Sequence, residues 1–217
     1  MEEKDVFITG GTGYVGRRLA EALVSRGHRV RVLARATSVS RVPQGCDVIV
    51  GNALEASSFA AALKPGDTLV HLVGTPHPSP SKAAEFERVD RASIEAAVLA
   101  AMQARIGHFI YVSVAHPAPM MHAYITVRMA GERLIAAAGL TATILRPWYV
   151  LGPGHRWPVM LMPIYGLLGL FPSTRGGAQR LGLVTIGQMV NALVGAVENP
   201  PTTGTVRVLN APDIRAS

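Results

Sequence analysis

The segment at residues 6–16, Val-Phe-Ile-Thr-Gly-Gly-Thr-Gly-Tyr-Val-Gly, restricts this chain more than any other. Its first four residues are β-branched or aromatic and read as a short buried strand. Gly10, Gly13 and Gly16 follow in GxxGxxG spacing, and apolar Val15, Leu19, Ala22 and Leu23 then recur at helical intervals. A strand, a glycine turn and a helix in direct succession meet the needs of a bound pyrophosphate. The turn must adopt φ > 0, bare backbone must approach the ligand, and the helix must pack tightly on the strand. The helix N-terminus then offers unpaired N–H groups and a positive dipole end. Gly10, Thr12, Gly13, Tyr14, Val15 and Gly16 are therefore candidate cofactor-binding residues. The alternative, a glycine-rich turn that binds nothing, is weakened by the agreement of strand, turn and helix.

The alternation continues along the chain. Short apolar runs at 29–34, 47–50, 68–73, 108–112 and 141–145 read as strands, and helical patterns cover 14–26, 54–63, 82–104 and 121–138. Gly27 is placed to end the first helix. Strands and helices in strict alternation call for a parallel sheet covered on both faces. With the glycine turn on the first strand, this is the doubly wound, dinucleotide-binding α/β (Rossmann) class. After Pro147 the pattern changes: Gly152-Pro-Gly154 breaks the chain, 157–170 is apolar and kinked at Pro163, and a strand, a helix and a strand are expected at 181–185, 186–198 and 205–209. Residues 1–150 read as the dinucleotide-binding core. Residues 151–217 read as a small C-terminal lobe on the substrate side, packed against the carboxyl edge of the sheet and not an independent domain.

Composition sets outer limits. Of 217 residues, 49% are apolar, so the chain folds around a real core. Its one cysteine, Cys46, excludes an internal disulfide framework and suits a reducing compartment. The acidic N-terminus runs straight into the first strand, no signal peptide fits there, and a cytoplasmic location is expected. The net charge of +7 comes from scattered arginines without a dense basic run or an aromatic platform, which argues against nucleic acid and leaves anionic small molecules or an acidic membrane surface open. The apolar stretch at 159–171 is too short to cross a bilayer. It is a candidate for docking on a membrane or a protein partner, with burial against the sheet as the default.

Two positions address the cofactor. Folds of this class distinguish NAD from NADP at the end of the second strand, where an acid accepts the ribose 2′-OH and an arginine accommodates a 2′-phosphate. Arg35 stands there with no acid nearby, and Arg17 and Arg18 begin the first helix. NADP(H) is therefore expected over NAD(H), which stays possible if Arg35 is only an exposed strand-end charge. Asn52, after the third strand, is either an adenine-facing residue or a turn residue. Ser113 ends the fifth strand, and Tyr124 and Arg128 follow in YxxxR spacing at the start of a helix, which puts both on one face.

These residues carry a resemblance. The segments 9–16, 32–35, 71–74, 109–113, 124–132 and 144–147, with Gly152-Pro-Gly154, resemble the extended and atypical branch of the short-chain dehydrogenase/reductase superfamily. That branch includes proteins like the NAD(P)-binding accessory subunit of respiratory complex I and the NmrA-like regulators. The resemblance adds Val73 and Gly74 to the cofactor-binding residues. It implies a tyrosine acid/base for hydride transfer at a carbonyl or alcohol carbon, a lysine four residues on that binds the nicotinamide ribose and lowers the tyrosine pKa, and a serine bonded to the substrate oxygen. These roles fall on Tyr124 and Ser113, with Arg128 where the lysine should be. An arginine keeps the charge but has a longer, planar and permanently protonated head, so ribose bonding and tyrosine activation stay open. The alternatives are a helix-face contact for Tyr124 and Arg128 and a strand-end cap for Ser113.

The remaining candidates are secondary. His71 reads as a packed histidine and Asp90 as a structural residue where many family members carry an asparagine. Arg146-Pro147 reads as the turn into the lobe. His77, His116 and His122 lie in loops without a spaced carboxylate partner, so no metal site is expected. Tyr149, His155, Trp157 and Met160 are the lobe residues expected to face the nicotinamide end, with hydrophobic packing the favoured alternative for Trp157 and Met160. Two functions fit the chain. One is an NADP(H)-dependent oxidoreductase or epimerase-like enzyme acting on a small carbonyl, sugar-nucleotide or isoprenoid-like compound. The other is a non-catalytic NADP(H)-binding regulator or assembly subunit, for which Arg128 and the short lobe speak. Dimers through paired helices are common in the resembled family, so a homodimer is compatible.

Overall fold

Side-chain alternation along the first strand assigns both faces of the sheet. In the computed structural model, which describes residues 2–118, 120–153 and 182–217, Val6 and Ile8 of β1 (Asp5–Thr9) enter one apolar core and Phe7 enters the other. The first core is closed by Leu19 and Leu23 of α1 (Tyr14–Ser25) and by Ala192, Leu193 and Val197 of α5 (Ile186–Glu198). The second is closed by Ile94, Ala97 and Ala101 of α3 (Ala92–Ala104) and Ile135 of α4 (His122–Ala137), with Phe59 and Leu63 from a connecting loop.

The remaining strands are β2 (Arg29–Ala34), β3 (Asp47–Val50), β4 (Thr68–His71), β5 (His108–Val112), β6 (Ala142–Arg146) and β9 (Val206–Asn210). They form one seven-stranded parallel sheet in the order β3-β2-β1-β4-β5-β6-β9. The winding direction reverses between β1 and β4, which opens a crevice at their carboxyl ends. The doubly wound fold read from the sequence is therefore present. A separate pair, β7 (Val150–Leu151) and β8 (Val184–Thr185), is also parallel, and the short helix α6 (Ala211–Arg215) ends the chain.

Several local readings hold and several change. Helix α1 stops where Gly27 (φ +84°) takes the left-handed conformation, with His28 N–H bonded to Leu23 O and Gly27 N–H to Val24 O. The helix expected at 54–63 is instead two tight turns, Ala56–Ser58 and Ala60–Ala62. Ser58 Oγ bonds to the backbone of Asn52 and Glu55, which competes with helical bonding there. The helix expected at 82–104 has α2 (Ala83–Glu85) and α3 joined by a π-helical segment, Phe86–Arg91.

The largest change concerns the C-terminal part. Residues 151–217 read as a lobe, yet β9 pairs with β6 from Ala142–Val206 to Arg146–Asn210, and α5 packs beside α1. The outer edge of β6 would otherwise leave its backbone groups unpaired, and the valine-bearing run at 206–209 satisfies them. Residues 182–217 thus complete the core. The apolar stretch 159–171, His155, Trp157 and Met160 lie outside the described residues. No helix among the described residues is long and apolar enough to cross a membrane. Cys46 is half-buried against the α1 side of the core, as a small hydrophobe would be.

His71, on β4, is fully buried between Thr9 Oγ1 (2.8 Å from Nδ1) and Ser93 Oγ (3.3 Å from Nε2). Burial first, and then the Arg128 charge, depress its pKa to about 3. Below its ordinary value of 6.5 the unfolded chain therefore binds the proton and the folded chain does not. The His71 contribution is full above that value and is lost progressively as pH falls toward 3. Urea melts should lose about 2 kcal/mol between pH 7 and pH 5 from this residue. His71→Gln should flatten that slope by about one proton's worth; an unchanged slope would assign it elsewhere.

Candidate active site

The crevice at the carboxyl ends of β1, β2 and β4 is a cleft of about 390 Å³. Gly10, Thr12 and Gly13 line it from the glycine turn, Arg35 from the end of β2, Asn52 from the end of β3, and Val73 and Gly74 from the end of β4. Gly10 sits at φ +78°, and a Cβ there would lie 2.8 Å from the Leu72 carbonyl carbon. A Cβ on Gly16 would lie 2.3 Å from Gly10 O, so only glycine lets α1 start this close to β1. Gly13 caps α1 without any side-chain bond to the first turn, and that turn holds no acid. The start of the helix thus carries no side-chain cap, and Gly13 at its N-cap lines the crevice, which suits a pyrophosphate. The cradle fits a dinucleotide.

The other turn residues act from behind. Gly16 is buried, and Val15 packs against the core. Tyr14 turns to a second hollow of about 370 Å³ that it shares with Thr12, Gly13, Arg17, Arg18, Arg41 and Pro153. Arg18 lies over the Tyr14 ring, 4.4 Å from its centroid, and bonds to Tyr14 O at 2.8 Å. Gly152 approaches Tyr14 so closely that a Cβ there would lie 1.8 Å from its hydroxyl. Arg41 was not read from the sequence as part of this region; the short helical turn Ala36–Arg41 after β2 brings it there. The Asn52 side chain bonds to Glu55 and to Leu54 N–H, so its amide shapes its own turn.

Tyr124 lies in the first turn of α4, its ring 5.0 Å from Phe86. It lines a pocket of about 370 Å³ with Pro80, Phe86, Met120, Met121, His122 and Ala123. Met121, just before α4, is held at φ 64°, a conformation that costs a side-chain-bearing residue about 1 kcal/mol or more. Arg128 lies one turn further on, its guanidinium 5.2 Å from the Tyr124 ring centroid. The YxxxR spacing thus brings the two together. Burial disfavours the Arg128 charge, but Tyr124, Tyr111 and Asp90 more than offset this and raise its pKa. Burial also pushes the Tyr111 hydroxyl up to about 12.

The hydrogen bonds of Ser113 and Arg128 differ from what the resemblance implies. Arg128 Nη2 donates to Asp90 at 2.6 Å and Nη1 to Val112 O at 3.0 Å. Ser113 Oγ donates to Glu132 at 2.5 Å. Glu132 also pairs with Arg146 and lies 3.5 Å from His116. A hydroxyl has one proton, so Ser113 has only lone pairs left for any further partner. Each of the two positions is thus held by a carboxylate from a neighbouring helical segment. Asp90, read as structural, is the partner of Arg128, and the sequence reading missed Glu132. The available signal was an acid at helical spacing from apolar Ile125 and Ile135, on a stripe of α4 that is buried and where charge needs a partner.

Residues 10–156 match the family model described as NAD(P)H-binding. Over 168 residues the chain is 29% identical to the 4-hydroxy-2-methyl-3-oxo-4-farnesyl-3,4-dihydroquinoline-1-oxide ketoreductase of Stigmatella aurantiaca, covering 67% of this chain and 50% of the relative. Over 151 residues it is 31% identical to the ceramide reductase of Caulobacter vibrioides, covering 69% and 47%. The chain therefore spans about half the length of these relatives. Among solved structures, the Bordetella bronchiseptica enzyme WbmH in complex with NAD+ superposes with a TM-score of 0.69 at 23% identity, over 91% of this chain and 73% of that one.

Glu132→Ala would leave Arg146 without its carboxylate and Ser113 without its acceptor. The expected loss in a urea melt is about 2–3 kcal/mol, because one-sided removal of a buried partner strands the other. A loss below about 1 kcal/mol would mean the cluster behaves as an exposed pair.

Proposed function

We propose an activity from one premise: the chain belongs to the NAD(P)H-binding family, within the extended, atypical branch of the short-chain dehydrogenase/reductase superfamily. The activity is an NADP(H)-dependent reduction of a carbonyl group on a largely apolar compound, with Tyr124 as acid/base. The observation that carries this reading is the cleft at the switch point, where the glycine turn, Arg35 and the end of β4 converge. A bound nicotinamide dinucleotide would supply or accept the hydride.

The chain's own residues would do the rest. Uncapped N–H groups of α1 receive the pyrophosphate, and Arg35 offers a planar fork to a 2′-phosphate. Arg17, Arg18 and Arg41 make the adjoining hollow positive. Tyr124 holds its phenolic proton at the pocket wall and gives it to the carbonyl oxygen as the carbon is reduced, becoming phenolate. The apolar pocket at Phe86 and Met121 supports an apolar substrate, and the described residues lining it include no lysine or arginine for a sugar diphosphate. The names of the relatives, a farnesyl-quinoline ketoreductase and a ceramide reductase, point the same way. A second reading, an NADP(H)-binding regulator or assembly subunit without turnover, is favoured by one observation: Ser113 and Arg128 are already bonded to carboxylates.

Fluorescence titration with NADPH and NADH tests the cofactor. Arg35→Ala should weaken NADPH at least tenfold, about the worth of one charge-assisted contact, and leave NADH within twofold. Equal affinities in the parent protein would remove the NADP preference. Tyr124→Phe tests the chemistry. With a panel of long-chain ketones it should abolish NADPH oxidation while NADPH affinity stays within twofold. A parent protein that binds NADPH but oxidises it with no member of the panel would favour the second reading.

A further inference from the structure

We infer that Asp90 is a positioning residue that sets the width of the nicotinamide end of the cleft; the inference rests on the cofactor reading above. Two walls face each other there. One is the backbone after β4, with Val73, Gly74 and Pro76; the other is the helical stretch carrying Glu85 and Val89. Asp90 belongs to the second wall and bonds to the first. Its Oδ2 accepts from Thr75 N–H at 2.9 Å and from Thr75 Oγ1–H at 2.6 Å, while its Oδ1 accepts from Arg128 at 2.6 Å. Asp90 is 1% exposed and Thr75 5%, so water does not compete for these bonds.

Arg128 extends the clamp to the neighbouring strand. Nη1 donates to Val112 O at the end of β5, and Nη2 lies 3.4 Å from Val73 O. The fit leaves no slack: a Cβ on Gly74 would lie 2.1 Å from Arg128 Nη2 and 3.2 Å from Asp90 Oδ1. The π-helical segment Phe86–Arg91 supplies the placement. Its wider turn aims Asp90 inward while Val89, its neighbour, lines the cleft. One carboxylate thus joins the ends of β4 and β5, the π segment and α4, the helix that carries Tyr124.

The chemistry requires a carboxylate. Two acceptor oxygens serve donors on two sides at once, whereas an amide has one oxygen and must present its NH₂ to donors on the other side. Asp90→Asn should therefore loosen one wall against the other while the adenosine end, at Arg35 and Asn52, keeps its geometry.

The experiment compares a whole dinucleotide with its adenosine fragment, by calorimetry on the full chain. The pairs are NADPH with adenosine 2′,5′-bisphosphate, or NADH with AMP if the parent protein prefers NAD. Asp90→Asn should weaken the dinucleotide about tenfold and change the fragment less than twofold. Thr75→Val keeps the Arg128–Asp90 pair and removes only the 2.6 Å bond; it should weaken the dinucleotide about threefold and leave the fragment unchanged. It decides the matter if Asp90→Asn does not fold. Equal losses on dinucleotide and fragment, or no loss in a folded variant, would overturn the inference and leave the cofactor reading intact. A parent protein that binds neither dinucleotide nor fragment would overturn both.

Discussion

Helix α1 reaches the sheet only because Gly16 has no side chain. A Cβ there would lie 2.3 Å from Gly10 O and 2.7 Å from Gly11 Cα, well inside contact distance. That one close approach seats the start of α1 at the carboxyl end of β1, beside the point where the sheet reverses. It also lets Leu19 and Leu23 fall onto the Val6–Ile8 face and join the core that α5 completes. Core packing and the uncapped helix start are thus two consequences of the same missing atom. The cleft opens where it does because the helix is anchored there.

The opposite face depends on buried charge. Arg128, Asp90, Glu132 and Ser113 are each 8% exposed or less, in a region otherwise closed by Ile94, Tyr111 and Ile135. Removing a charged pair from water costs several kcal/mol per ion before their attraction is counted. The arrangement holds because nearly every group is bonded: Asp90 to three donors, Glu132 to Ser113 and Arg146. Replacing a buried ion pair by apolar residues of similar volume is often neutral for stability, so stability alone is a weak reason for these charges. Their position at the carboxyl ends of β4 and β5, under Gly74 and beside Tyr124, ties them to the geometry of the cleft.

Charge neutralisation also bears on Tyr124. The cation nearest its ring is Arg128. Here the nearby cation already has a carboxylate 2.6 Å away. The guanidinium lies against the Tyr124 ring, where its effect is that of a cation on a π face.

Local physics made much of this chain legible. The GxxGxxG turn, the stop at Gly27, the helix over Ile186–Glu198 and Arg35 at the end of β2 each follow from residue type and spacing within one turn or strand. The partners of buried charge did not follow, because Asp90 and Arg128 are 38 residues apart and meet only when the π segment and α4 pack together. Ser113 looks the same in sequence whether its hydroxyl faces a substrate or Glu132. The run at 206–209 read as a strand, but its place beside β6 is a matter of which sheet edge remained to be paired. Sequence alone determined the strands of the sheet, most of the helices and the glycine turn, since dihedral preference and apolar period act over a few residues, but not the tight turns at 56–62 or the π segment at 86–91. The tertiary structure decided which charges compensate one another and which strand closes the sheet, since electrostatic and backbone pairing in the interior join residues that the chain keeps far apart.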